Sequence, residues 1–215
     1  MATITMSDGA PAPAGPDAVE RRVLDAALCC LARWGVAKTT LDDIAREARV
    51  SRATVYRAFP GGKDTVLDAI VVDELSRFAG DLGERLLGTD DLEDLLVTGI
   101  TFASQTLTGH EALQYLLAHE PEQVLPHISF GRFDGVLAAA SGLVAPHLAR
   151  FVGEELALRT GEWVTRLVFS YTMAPSPTYD FTDADDVRRF VRSYLLPGLT
   201  DRTTAPAAPP HPRND

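Results

Sequence analysis

Arg49, Arg52, Arg57 and Lys63 crowd into one short stretch of this chain, interleaved with Ser51, Thr54, Tyr56 and the small Ala53. These residue types meet nucleic acid. An arginine fork pairs in a bidentate way with O6 and N7 of guanine, and Ser, Thr and Tyr hydroxyls reach phosphates or base edges. An alanine lets a helix lie close in the major groove or touch a thymine methyl. Lys63 follows Pro60-Gly61-Gly62 at an expected helix start, where an ammonium and free backbone N–H groups can hold a phosphate together.

Local periodicity supplies the elements that would present them. Thr40 is placed as an N-cap with Asp43 three residues on, and Leu41, Ile44, Ala45 and Ala48 then form an apolar stripe at helical spacing. After Arg49-Val50, Ser51 offers a second N-cap, and Val55 and Phe59 lie four apart on one face that must be buried. Advancing about 100° per residue sets Ala53, Thr54, Tyr56 and Arg57 on the opposite face, with Arg52 on its flank. Thr39 to Lys63 therefore reads as two short helices joined by a tight turn, the second one basic. Taken alone, the pattern also fits a solvated helical hairpin whose charges only keep it soluble.

The wider context narrows that choice. A first helix RRVLDAALCCLARWG ending at Gly35, then TTLDDIA, then VSRATVYRAF, then a Gly-Lys turn, together resemble the N-terminal DNA-binding domain of the tetracycline-repressor (TetR) family of transcriptional regulators, from about Val19 to Leu67. The resemblance implies base or phosphate contacts from Arg52, Ala53, Thr54, Tyr56 and Arg57, with Thr40 and Lys63 on the DNA backbone; Ser51 and Arg49 complete the candidate set. Two positions depart from the family pattern. Arg49 stands where the family usually has Gly, at a cost of about 1 kcal/mol if it is left-handed, and it adds a possible phosphate contact. Ala58 stands where many members carry His or another polar residue.

Charge follows the same division. The chain carries −10 overall, yet residues 17–64 hold nine Arg/Lys against seven Asp/Glu, and residues 65–200 hold nine against twenty. Positive charge is concentrated at Arg46 to Lys63, with five basic residues to one acidic. A protein that touches DNA at one end, with an affinity set by a few phosphate contacts, has this distribution.

At 215 residues and 46% hydrophobic, the chain can build a substantial core. We divide it into a disordered tail at 1–16, a helix-turn-helix domain at 17–64, a ligand-binding and dimerisation domain at 65–200, and a Pro-rich disordered tail at 201–215. Neither a signal-peptide pattern nor an apolar run of membrane-spanning length is present, so a cytoplasmic location is expected. Cys29 and Cys30 are adjacent in the first helix and point about 100° apart, which argues against a bridge between them.

Beyond the reading head, apolar periodicity and Gly/Pro punctuation predict helices at about Lys63–Leu87, Asp91–Leu107, Glu111–Ala118, Pro121–His127, Phe133–Val152, Glu154–Met173 and Asp183–Leu196. The fold class is all-α: a three-helix helix-turn-helix domain followed by a C-terminal, TetR-like helical bundle. On the first long helix, Val66, Ile70, Leu75, Phe78 and Leu82 are expected to form the apolar side. Trp163, Leu167, Val168 and Tyr171 line one late helix, and Val187, Phe190, Val191, Tyr194 and Leu195 another. The family resemblance implies that these last two long helices dimerise the protein, with two reading heads on a palindromic operator. It also implies an effector pocket. Phe102, Tyr115, Leu116, Phe130, Phe133, Leu137, Trp163 and Phe169 are candidates to line it, with His110, His119, His127 and Arg132 for a polar head group, and a small lipophilic effector is the expectation.

Other classes have less to stand on. His119-Glu120 runs straight into Pro121 and His110-Glu111 has no second His one turn on, so no zinc-binding HExxH face exists. Phosphate loops and Gly-x-Ser-x-Gly elbows are missing too. A small helical enzyme and an adaptor with a disused helix-turn-helix are the alternatives, and neither cofactor nor metal is expected.

Overall fold

The computed structural model describes residues 17–122 and 133–203, of which the side chains of 133–136 and 200–203 are left aside. Two compact units make up the chain, Met1–Val71 and Val72–Asp215.

In the first unit α1 spans Ala18–Lys38. Asp17 caps it, accepting from the N–H groups of Val19 and Glu20, while the Glu20 carboxylate accepts from the Asp17 N–H. Helical geometry breaks at Gly35, whose φ of 76° suits a residue without Cβ. The Thr39 hydroxyl donates to the Gly35 carbonyl at 2.6 Å and closes the end of the helix. α2 is Leu41–Glu47 and α3 is Arg52–Ala58. Val23, Leu24, Ala27, Cys30, Ile44, Val55, Phe59 and Val66 are buried, so the apolar faces read from sequence do form this unit's interior.

α4, Lys63–Leu87, runs through the division between the units, which therefore falls beyond the boundary expected at residue 64. Its apolar side is narrower than expected. Val66, Ile70 and Leu82 are buried and Phe78 half-buried, but Leu75 is 60% exposed. Leu75 lies about 140° round the helix from Ile70 but only about 20° from Leu82, so α4 buries different faces along its length and Leu75 falls in the stretch between them.

The second unit contains α5 (Leu92–Gly109), α6 (Glu111–His119), α7 (Phe133–Val152), α8 (Glu154–Met173), α9 (Ala184–Phe190), a π turn at Val191–Leu195 and α10 (Leu196–Thr203). The helix expected at Pro121–His127 lies largely outside the described residues, as do His127, Phe130 and Arg132. Leu86, Leu95, Leu96, Ile100, Leu148, Ala157, Val187 and Val191 belong to one continuous core. α7 and α8 cross closely because Gly161 faces Ser141: a Cβ on Gly161 would stand 3.3 Å from the Ser141 Cα. Phe181 stacks on Tyr171 with ring centroids 3.9 Å apart, and Phe190 meets Phe181 edge-on at 5.0 Å, sealing α9 to the end of α8. Across the surface of this unit Arg188 and Arg192 both grip Glu93, at 2.7 and 2.9 Å, and tie α9 and the π turn to the start of α5.

Regular structure among the described residues is helical throughout, and none of these helices is long and apolar enough to cross a membrane. The all-α expectation holds.

Candidate nucleic-acid interface

α3 is held in place before anything binds it. Ser51 Oγ accepts the Thr54 N–H at 3.0 Å and lies 2.8 Å from the Thr54 hydroxyl, so both side chains serve the cap at the start of the helix. Thr40 does the same for α2, accepting from the Asp43 N–H at 3.2 Å while the Asp43 carboxylate accepts the Thr40 N–H at 3.1 Å. The Thr40 hydroxyl, which also donates to the Asp43 carboxylate, and then the Thr40 N–H pull that carboxyl below its ordinary value. Val55 is fully buried and Phe59 nearly so, which fixes the rotation of α3.

With that rotation, Arg52, Ala53, Tyr56 and Arg57 are exposed on the outer face and Thr54 is half-buried beside them. Arg49 is exposed in the turn between α2 and α3, with φ of 54°, the one non-glycine residue with positive φ among those described. Its backbone conformation is the left-handed one expected from the departure at this position.

Lys63 is placed differently from its sequence reading. Its ammonium points inward, donating to the carbonyl oxygens of Val36 and, at 2.9 Å, Thr39. Those carbonyls end α1, and a cation there satisfies acceptors the helix leaves open. Lys63 thus fastens α4 to the end of α1, and the expected phosphate contact is not part of that arrangement.

Two contributors were not read from sequence. The Arg22 guanidinium donates to the carbonyls of Ala48 at 2.6 Å and Arg49 at 3.3 Å, clasping the turn from α1. Asp42, on α2, accepts from Arg52 at 2.8 Å. Both link residues far apart in the chain, where helical periodicity carries no information. Cys30 is buried and its thiol is pushed up to about 11, first by burial and then by Glu47 and Asp43; Cys29 is exposed.

Candidates in the second unit are more scattered. Phe102 is half-buried, its ring stacked on Phe78 at 5.6 Å with the Arg85 guanidinium 4.5 Å from its centroid. Tyr115 stacks on the exposed His119 at 4.3 Å, and Phe169 is half-buried. His110 accepts the Leu113 N–H at the start of α6 and sits 3.1 Å from Glu74, a capping role. Phe133 lies in α7 without a described side chain. Leu137 lines an open groove of about 450 Å³ with Ser141, Leu158 and Arg166, whereas Trp163 lines another of about 550 Å³ with Leu156, Tyr194 and Leu199. Neither groove gathers a second member of the expected effector pocket.

The expected dimer surface needs correction. Val187 and Val191 are fully buried and Phe190 is 7% exposed, all within the unit's own core, because α9 turns its apolar face inward against α5. Trp163 and Tyr194, at 51% and 57% exposed, stay on the surface, with Leu167 and Tyr171 half-buried.

A three-helix head with an outward basic helix, followed by a separate helical unit, defines an all-α protein of the helix-turn-helix class. Residues 23–70 match the family described as bacterial regulatory proteins, tetR family. The chain is 35% identical over 103 residues to an uncharacterized HTH-type transcriptional regulator of Mycobacterium bovis, a match covering 48% of this chain and 52% of that protein. It thus spans about half the length of that curated relative. Among solved structures it is similar to the TetR family repressor AlkX from Dietzia sp., implicated in biodegradation of n-alkanes, at 20% identity and a TM-score of 0.60, covering 84% of this chain and 97% of that one. It is also similar to the transcriptional regulator FadR from Bacillus subtilis in complex with stearoyl-CoA, at 20% identity and a TM-score of 0.53, covering 80% and 97%. Both show the fold, a helical head and a helical bundle.

Proposed function

We propose that the protein is a ligand-responsive, DNA-binding transcriptional regulator, a repressor that binds a palindromic operator as a homodimer and is released by a small effector. The carrying observation is the outward array of Arg49, Arg52, Ala53, Tyr56 and Arg57 on and beside a helix whose opposite face is buried. Three arginines, a phenol and a small residue on one exposed helical surface suit insertion into the major groove with flanking phosphate contacts.

Self-association is supported by Leu158, Trp163 and Tyr194, large apolar side chains left more than half exposed in the second unit. A two-fold dimer would offer two α3 helices to successive major grooves. The effector reading draws on the acyl ligand of FadR and the alkane context of AlkX. Buried hydroxyls of Thr101 and Ser104, on one face of α5 and without hydrogen-bond partners, suit a mainly apolar ligand carrying a polar group. Release needs the effector to prefer the DNA-incompetent arrangement; a tenfold loss of operator affinity corresponds to about 1.4 kcal/mol of preference.

Fluorescence anisotropy of the purified protein on the intergenic DNA beside its own gene, with scrambled competitor and varied salt, is the test. Salt-sensitive binding that resists the competitor is expected. Arg57→Ala should then lower operator affinity by about 1–3 kcal/mol. Equal binding to both duplexes, repeated after refolding to strip ligand and on selected genomic DNA, would refute the reading.

A further inference from the structure

Asp42 pairs with one of the outward arginines of α3. Asp42 Oδ2 lies 2.8 Å from Arg52 Nη1, with 53% and 55% of the two side chains exposed. The second terminal nitrogen of Arg52, Nη2, lies 3.4 Å from the Tyr56 hydroxyl, and the guanidinium carbon stands 5.4 Å from the centre of the Tyr56 ring. The guanidinium is thus held along one edge by a carboxylate and beside its plane by an aromatic ring.

Neither stability nor general attraction to DNA accounts for this arrangement. An ion pair this exposed contributes little to folding. A carboxylate on a surface that approaches phosphates weakens binding to any sequence. What the pair does supply is orientation. A free arginine on its flexible stem follows whichever phosphate is near, whereas reading O6 and N7 of guanine requires the planar fork to arrive in one attitude.

We propose that Asp42 is a specificity-determining residue, which with Tyr56 fixes Arg52 as a reader of one guanine in each half-site and keeps it from acting as a general phosphate clamp. The proposal rests on the DNA-binding reading above. Asp42 touches no base itself; it is a positioning residue that acts through Arg52. It trades affinity for all DNA against discrimination among sequences.

The two effects separate experimentally. The full-length protein is used to select binding sites from a randomised duplex library. Anisotropy is then measured on the consensus, on every single-base variant of it, and on a scrambled duplex across a salt series. Asp42→Ala should bind the scrambled duplex more tightly, with a salt slope steeper by about 1, and should lose discrimination at one guanine position per half-site. A bidentate pair discriminates by about 5- to 150-fold, and most of that factor should go. Arg52→Lys keeps the charge but lacks the fork, and should lose preference at the same base pair. Asp42→Glu should restore part of it. The proposal is overturned if Asp42→Ala leaves every base preference intact, if it weakens all duplexes in proportion, or if it and Arg52→Lys act on different positions. Should the wild-type protein select no sequence, the DNA-binding reading fails first and this inference falls with it.

Discussion

Arg49 is a side-chain-bearing residue at φ of 54°, where glycine fits without strain. Arg49→Gly should therefore leave the head equally stable or more stable by up to about 1 kcal/mol in thermal unfolding. If the guanidinium meets phosphate, the same variant lowers the salt slope of DNA binding by about 1. The paired cysteines give a second residue-level outcome. Iodoacetamide at pH 8 should label Cys29 rapidly and leave Cys30 unreacted until the protein unfolds, since Cys30 is buried and burial pushes its thiol up to about 11. The outward residues of α3 were readable in sequence because a helix turns by a fixed angle per residue, so Val55 and Phe59 alone determine which side faces out. Arg22, Lys63 and Asp42 were not readable in their observed roles. Arg22 and Lys63 pair with carbonyls that have no sequence signature, and Asp42 pairs with an arginine in another helix.

Helix boundaries divide in the same way. Lys63–Leu87, Phe133–Val152 and Glu154–Met173 coincide with the expected spans, punctuated by glycines and by the Pro175/Pro177 loop. The final helix does not: it runs without leaving helical backbone from α9 through a π turn into α10, and so continues past Pro197. An i→i+5 turn leaves no compositional mark. Gly161 illustrates what packing adds to pattern, since only the neighbouring Ser141 makes it a necessity. Gly161→Val should overpack the α7–α8 crossing and cost about 1–3 kcal/mol, measured by denaturant unfolding. The Glu93 staple supplies a pH signature. Arg192 and then Arg188 hold the Glu93 carboxyl below its ordinary value of 4.5. Its contribution is complete above that value and is lost as pH falls through the lowered one. Protection from hydrogen exchange over 184–195, taken relative to the intrinsic rate, should accordingly fall on acidification below pH 4.5, and Glu93→Gln should reduce that pH dependence.

For the whole molecule, the consequential surface is the one around Trp163 and Tyr194. Five of the nine residues expected on the dimer helices, Val168, Val187, Phe190, Val191 and Leu195, are core residues, because hydrophobicity does not say whether a helix face is covered by its own chain or by another. Trp163→Arg combined with Tyr194→Arg should shift the protein from dimer to monomer in sedimentation. It should abolish tight binding to a two-half-site duplex while leaving weak single-site binding. An unchanged sedimentation coefficient would move the proposed interface elsewhere. The π turn at Val191–Leu195 bears on how this surface tolerates change over descent. Such a turn holds one residue more than the α-helical turn it replaces, so a chain shorter by one residue there can still run as continuous helix. Everything beyond it would then keep its face, and Leu199, now buried, would stay in the core. A single deletion in this stretch exchanges no helix face, and length between Val191 and Leu195 is free to vary by one residue where a deletion from the flanking α-helical turns is not.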